Sequence, residues 1–173
     1  MNIGSGSEPV ASGCSGAAAL RPATTADLQK INDVIGRAVM RWSLAERVKR
    51  LALPSYHYRS QDLDHLRILV AEDEAGGLAG VAAWEPAAPR DCPPGRRGLL
   101  LHGLYVDPDR QGRGVGTRLL GEAAAAARED GYDGLLVKAQ ADASGFFQTR
   151  GLERLLAGDS ARSYANRFWL DLS

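Results

Sequence analysis

The stretch Leu99-Leu-Leu-His102-Gly-Leu104-Tyr105-Val106-Asp-Pro108-Asp-Arg-Gln111-Gly112-Arg113-Gly114-Val115-Gly116-Thr117-Arg118-Leu-Leu120 sets the reading of the whole chain. Its first half is an apolar run of the kind that fills a buried strand, and Pro108 turns the chain out of it. Glycines at alternate positions follow and open directly into an alanine-rich helical pattern, with Leu119, Leu120, Ala123, Ala124 and Ala127 on one face. The first backbone N–H groups of a helix have no acceptor within it, and the helix dipole adds positive potential there. Strand, glycine loop and helix together make a cradle for an anion, phosphate above all.

Spacing narrows the cradle without naming its ligand. A dinucleotide-binding fingerprint belongs in an early βαβ unit, whereas this loop lies past the middle of the chain, and no Gly-Lys-Ser/Thr follows to make a Walker loop. A glycine-rich connection with no ligand stays open on spacing alone.

Working back from the loop, Arg67–Glu72 and Leu78–Trp84 are β-rich runs separated by a turn ending Gly76-Gly77, which reads as a hairpin. The segment from Glu85 to Gly98 carries four prolines and reads as a surface loop. Ala18 to Pro22 reads as a first strand. Thr24-x-x-Asp27 resembles a capping box ahead of Leu28, Ile31, Ile35 and Val39 at helical spacing, and Ser43-x-x-Glu46 repeats the signal before Leu44, Val48 and Leu51, with Pro54 as the stop. Working forward, Leu135 to Gln140 is a buried-type strand, Asp142 to Arg150 a short helix ending at Gly151, and Asn166 to Leu172 a last strand with apolar alternation. The order predicts an α/β or α+β mixed sheet in which the strands joined by the alanine-rich helix run parallel. Residues 1–17 are Gly/Ser-rich and read as a flexible tail, and residues 18–173 as one domain.

Twenty-one Lys and Arg balance 21 Asp and Glu, so no overall positive field draws the chain to nucleic acid or an anionic membrane, and no apolar run reaches transmembrane length. Cys14 and Cys92 share no metal-ligand spacing. The expectation is a cytoplasmic protein with neither metal nor membrane.

Read together, Leu104-x-Val106-x-Pro108-x-x-Gln111-x-x-Gly114-x-Gly116 resembles the acetyl-CoA loop of the GNAT superfamily of N-acetyltransferases. Gln140-x-x-Ala143-x-x-x-Phe147-x-x-x-Gly151-Leu152 resembles that family's second half-motif, with Gln140 for its asparagine, Phe147 for its tyrosine and Leu152 for its phenylalanine. The order of elements agrees from Ala18 to the last strand. The resemblance implies a mixed sheet of about six to seven strands flanked by about four helices. It implies acetyl-CoA as co-substrate, with Leu104, Tyr105 and Val106 along pantetheine and the backbones of Leu104 and Val106 bonding it. Gln111, Gly112, Arg113, Gly114, Val115, Gly116 and Thr117 would line the pyrophosphate, and Gln140 and Phe147 would adjoin the coenzyme. Arg118 reads either as added local charge or as a solvated arginine.

The implied reaction is acetyl transfer to a primary amine, which is mostly protonated at neutral pH and must lose a proton. Phe147 has no hydroxyl with which to protonate the departing thiolate. His102, two residues before Leu104 and so expected on the same strand face, is the leading candidate base, though a packed core histidine fits the same run. Glu85 is a candidate proton relay or amine-binding group, and Tyr164 a substitute acid. Trp42, Tyr56, His57 and Tyr58 fall where the family forms its acceptor wall. The acceptor is expected to be a small-molecule amine, the alternatives being a protein N-terminus or lysine, or acyl-CoA binding without turnover. A homodimer through the apolar strand Phe168–Leu172 is a further expectation.

Overall fold

The computed structural model describes residues 18–156 and 166–173; the tail assigned to residues 1–17 and the candidate acid Tyr164 lie outside them. Seven strands form one sheet in the order β1 (Ala19–Pro22), β2 (Arg67–Glu72), β3 (Leu78–Pro86), β4 (Gly98–Val106), β5 (Gly134–Lys138), β7 (Arg167–Asp171) and β6 (Glu153–Arg154). Every neighbour pair is antiparallel except β4 and β5, which run parallel and are joined by helix α3 (Val115–Glu129). The remaining helices are α1 (Leu28–Met40), α2 (Glu46–Tyr56) and α4 (Ser144–Gln148). This is the expected mixed, open α/β sheet. Among the described residues no helix is long and apolar enough to cross a membrane.

Two apolar layers sandwich the sheet. On one face Ile31, Val34, Ile35 and Val39 of α1 pack on Ile68, Val70, Val81 and Ala83, with Tyr58 closing the edge. On the other, Leu119, Ala123 and Ala127 of α3 and Phe147 of α4 pack on Leu99, Leu101, Leu135, Val137 and Phe168. The small alanine stripe lets α3 approach the strands closely, as its composition predicts. The Thr24 capping box forms: the Asp27 carboxylate accepts from the Thr24 backbone N–H at 2.8 Å and hydroxyl at 2.9 Å. Arg21 reaches the same carboxylate at 2.8 and 2.9 Å.

Three expectations are corrected. Helix α2 starts at Glu46 without the Ser43 cap and runs through Pro54 to Tyr56. Pro54 lies in the last turn, where its missing donor removes only a terminal hydrogen bond. The periodic Leu44, Val48 and Leu51 do not face the core but are 43, 50 and 73% exposed. The helix is fastened instead by Leu53 and Tyr56, and by the buried Lys49, whose ammonium donates to the carbonyls of Met40 at 2.8 Å and Trp42 at 3.3 Å. Strand β3 continues to Pro86, shortening the loop that was expected from Glu85, and the short β6 went unread. In the last strand, Phe168 and Trp169 are 0 and 6% exposed and belong to the chain's own core, with Leu170 and Leu172 packed partly buried against it.

Candidate functional site

The site grows from a divergence in the middle of the sheet. β4 pairs with β5 only over Gly98–Leu101, against Gly134–Val137, while on its other side it stays paired to β3 as far as Val106. From residue 102 to residue 106, one edge of β4 has no strand partner among the described residues. The Asp107 N–H donates to Ala79 of β3 at 2.9 Å. Backbone groups alternate direction along a strand, so Tyr105 also points to β3, whereas Leu104 and Val106 present their N–H and C=O to the open edge. That edge carries the two residues that the sequence pointed to. Tyr105 does not join them: its backbone is paired to Val81 and its ring packs on the α1/α2 side.

A β-bulge lies at the start of this edge. Ala83 pairs with Gly103 and Trp84 with Leu101, which leaves His102 as an extra residue opposite no partner. The extra residue breaks the two-residue alternation, so His102 does not share a face with Leu104 as expected. Leu104 and Val106 pack with the α3 layer, and His102 turns to the α1/α2 side.

Beyond β4 the loop enters α3 through Gly112 and Gly114, at φ +74° and +79°. No added Cβ would meet anything within 4 Å at either position, so the glycines are required by backbone conformation and not by crowding. The first bond of the helix is Arg118 N–H to Gly114 C=O at 3.0 Å, so the N–H groups of Val115, Gly116 and Thr117 have no acceptor among the described residues. No acidic side chain sits in the first turn to neutralise the dipole. These donors are what an anion needs.

The loop is held from two sides. Asp107 accepts from the Asp109 N–H at 3.0 Å and from Arg37 of α1 at 3.0 Å through Nε. Burial pushes the Asp107 carboxyl up, and these donors outweigh it and hold it below the usual carboxylate range. Arg110 donates to Asp73, in the turn between β2 and β3, at 2.7 Å. Arg110, with the Gly77 N–H, holds the Asp73 carboxyl low as well. Arg150 stacks 3.7 Å from the centre of the Phe146 ring and donates to Thr117 Oγ1 at 2.9 and 2.6 Å, which brings a guanidinium to the start of α3. Arg118 turns away and donates to the Ala18 carbonyl. Gln111 and Arg113 are exposed on the loop.

On the α1/α2 side, the Tyr58 hydroxyl stands 3.3 Å from His102 Nδ1. Tyr58 is only 4% exposed, and burial drives its phenol well above the ordinary range. Glu85 pairs with Leu100 on β3 and is half-buried. Pair partners share a face, and Leu100 and His102 are two apart, so Glu85 and His102 are diagonal neighbours on one face, about 7–8 Å apart at the backbone. Trp42 meets Tyr56 edge-on at 5.2 Å, and Gln140 donates to the Tyr56 hydroxyl at 3.2 Å. Gln140 thus ties the end of β5 to this aromatic wall. Phe147 is 5% exposed and stacks on Phe168 at 6.0 Å, a core position; its neighbour Phe146 is the ring beside the glycine loop, since a Cβ on Gly116 would lie 3.2 Å from it.

Sequence reading missed the tethers Arg37, Asp73 and Arg110, the pair Phe146–Arg150, and the Tyr58–His102 contact. The tethers and the Tyr58–His102 contact are long-range, with no local signal beyond a short run of charge or aromaticity, whereas Phe146 and Arg150 are four residues apart and were legible as one helical turn.

With this geometry in view, residues 64–153 match the model of the acetyltransferase (GNAT) domain. The L-methionine sulfoximine/L-methionine sulfone acetyltransferases of Pseudomonas aeruginosa and Pseudomonas paraeruginosa are each 32% identical to the chain over 165 residues, covering 90% of it and 91% of the relative. Among solved structures, the PaiA N-acetyltransferase of Thermoplasma acidophilum in complex with coenzyme A superposes with TM-score 0.70 at 15% identity, covering 90% of this chain and 99% of that one. A GNAT family acetyltransferase of Brucella melitensis in complex with acetyl-CoA gives 0.60 at 22% identity, covering 90 and 88%. The chain belongs to the GNAT family of acetyl-CoA-dependent N-acetyltransferases.

Proposed function

We propose that residues 18–173 act as one domain that transfers the acetyl group of acetyl-CoA to the amine of a small, amino-acid-like acceptor by direct attack. The observation that carries this reading is the divergence of β4 from β5. It exposes the Leu104 and Val106 backbone groups on the strand that leads to the free N–H groups of Val115, Gly116 and Thr117, while Glu85 of β3 and His102 of β4 lie on the α1/α2 face of the sheet. Leu104 and Val106 would hold the pantetheine amides. The loop Gln111–Thr117 would hold the pyrophosphate, with Arg150 adding charge beside Thr117.

The acceptor then approaches from the α1/α2 side, between the Trp42–Tyr56–Gln140 wall and the Glu85–His102 pair. An ammonium must shed a proton before its nitrogen can attack, and a backbone N–H on the open edge of β4 stabilises the oxyanion that follows. Glu85 and His102 are the groups of this face able to move protons. The free thiol of Cys92 suits a reducing cytoplasm.

The relatives' named substrates, methionine sulfoximine and methionine sulfone, support a small acceptor bearing an α-amine. The test is thiol release from acetyl-CoA by the full chain over a panel of those two compounds, common amino acids, polyamines and peptides with free N-termini. Turnover confined to the small amino-acid-like amines is expected. Turnover of peptides alone, or acetyl-CoA binding with no acceptor, would replace this reading by one of the two alternatives.

A further inference from the structure

We infer that Tyr58 holds His102 in the tautomer whose proton sits on Nε2, so that His102 serves the reaction as a hydrogen-bond donor and Glu85 takes the proton from the amine. The inference rests on the reading that both side chains border the acceptor. It reverses the natural expectation that the histidine is the base.

Tyr58 is almost wholly enclosed, and a buried O–H with no acceptor loses far more than a hydrogen bond in place gains. Among the described residues its single hydrogen-bond partner is His102 Nδ1, at 3.3 Å. The phenol keeps its proton because burial opposes ionisation, and because the groups facing it, Tyr105 of β4, Asp62 of the turn after α2 and Glu85 of β3, oppose it further. The O–H must therefore donate, and Nδ1 must accept. A neutral imidazole carries one N–H; with Nδ1 the acceptor, that proton lies on Nε2.

The surroundings leave the hydroxyl little choice. Asn32 of α1 clamps the Tyr58 backbone in both directions, its Nδ2 donating to the Tyr58 carbonyl at 2.9 Å and its Oδ1 accepting from the Tyr58 N–H at 2.9 Å. Gly103 supplies the space: a Cβ there would sit 2.5 Å from the Tyr58 hydroxyl and 2.7 Å from the Tyr105 ring. The bulge puts Gly103 on the same side of the sheet as His102, and so brings its backbone beneath the Tyr58 hydroxyl.

A nitrogen that carries its proton cannot accept another, so Nε2 is a donor. Nδ1 cannot act as base through Tyr58 either, since that would leave a buried phenolate beside Glu85 and Asp62. Of the two carboxylates facing Tyr58, Asp62 already accepts from the Arg59 N–H at 2.7 Å, whereas the Glu85 carboxylate is engaged in no hydrogen bond or ion pair among the described residues. The acceptor's ammonium gives one proton to the Glu85 carboxylate, which passes it to solvent, and the freed nitrogen pair forms the C–N bond as the carbonyl π pair moves onto oxygen. The nitrogen's second surplus proton then goes to Glu85, the oxyanion's pair restores C=O, and the C–S bonding pair leaves on sulfur as thiolate, toward whose charge the Nε2–H donates. Glu85 returns this second proton to solvent in turn. This arrangement also supplies a donor where Phe147 offers no hydroxyl.

The tautomer is read directly by long-range ¹H–¹⁵N correlation on the full chain, the three histidines being separated with the His102→Gln variant. The Nε2–H pattern is expected for His102, relaxing to a mixture in Tyr58→Phe. An Nδ1–H pattern in the unaltered protein overturns the inference whatever the activity. Kinetics adds a second arm, because a Gln amide can replace an Nε2–H donor but not a base. His102→Ala is expected to lower kcat about tenfold to a hundredfold at unchanged acetyl-CoA KM. His102→Gln keeps kcat within about tenfold of the unaltered enzyme, and Glu85→Gln loses about a hundredfold or more. Equal loss in His102→Gln and His102→Ala, with Glu85→Gln active, returns the histidine to the role of base and sinks the inference while the acceptor site stands. Full activity in both His102→Ala and Glu85→Gln overturns the acceptor site together with the inference.

Discussion

Replacing Gly114 by alanine isolates the backbone conformation of the glycine loop from every other effect. Gly114 caps α3 at φ +79° and ψ 2°, and an added Cβ meets nothing within 4 Å. The cost is therefore purely conformational, about 1–2 kcal/mol for an L-residue held in the left-handed region. Relative to the unfolded chain, the loaded protein with its native loop loses that amount however the loop responds. A free loop that keeps its geometry shows the whole loss as stability. A free loop that relaxes spares its stability and shows the loss as affinity, because coenzyme must drive it back. Lowered stability and lowered acetyl-CoA affinity should thus sum to about 1–2 kcal/mol. If all of it falls on stability, Tm drops by about 2–8 °C for a domain of this size; if all falls on binding, Kd rises by about five- to thirtyfold. Gly121→Ala is the control. It lies exposed within α3 with an equally open Cβ position and no positive φ, and should gain about 0.5–1 kcal/mol. Denaturant unfolding and calorimetric titration of both variants give the comparison. No net loss at Gly114, or equal losses at both glycines, would refute the conformational argument.

Other consequences follow from the same geometry. Asp73→Ala frees Arg110 and should raise the KM for acetyl-CoA without lowering kcat, an effect that shrinks with added salt because the ion pair is near the surface. Asp27 and Asp107 are both held below the ordinary carboxylate range, Asp27 chiefly by Arg21. The unfolded chain then binds protons that the fold does not, so their contribution is complete above about pH 4 and is lost as pH falls through the folded values. Unfolding free energy measured from pH 7 to pH 3 should decline with that sign, and Arg21→Gln should flatten the decline. On α2, Leu51→Gln should leave stability within about 0.5 kcal/mol, because Leu51 is 73% exposed. Leu53→Ala, on the packed side, should cost measurably more.

What could be read from the sequence is what local chemistry determines. Apolar runs, turn residues and the Thr24–Asp27 cap located the strands and α1 because each signal acts within a few residues of its effect. The glycine loop was legible for the same reason, as a positive φ must be met by the residue that adopts it. Helix α2 misled because periodic apolar residues indicate the core only when another element covers them, and among the described residues none covers Leu44, Val48 and Leu51. Its true anchors, Lys49 on the carbonyls of Met40 and Trp42, and Tyr56 on Trp42 and Gln140, depend on chain folded back from elsewhere.

The bulge at His102 is where local reading fails and function concentrates. Alternation along an unbroken β4 puts residues 99, 101, 103 and 105 on one face and His102 with Leu104 on the other. One extra residue resets that pattern: Leu99 and Leu101 stay under α3, Leu104 and Val106 join them, and His102, Gly103 and Tyr105 all turn to α1 and α2. The apolar layer is thereby kept continuous across the break, and a polar residue reaches the acceptor side without being buried under α3. The same displacement coincides with the end of the β4–β5 pairing at Leu101. A single inserted residue so couples the open backbone edge to the Glu85–His102–Tyr58 group. Deleting His102 should therefore remove the bulge and the imidazole together: Leu101 and Gly103 then pair with Trp84 and Ala83 in unbroken alternation, and Leu104 and Val106 stay under α3. Retained cooperative unfolding with the activity loss of His102→Ala is the expected result, and loss of cooperative unfolding in the deletion would refute this account of the bulge.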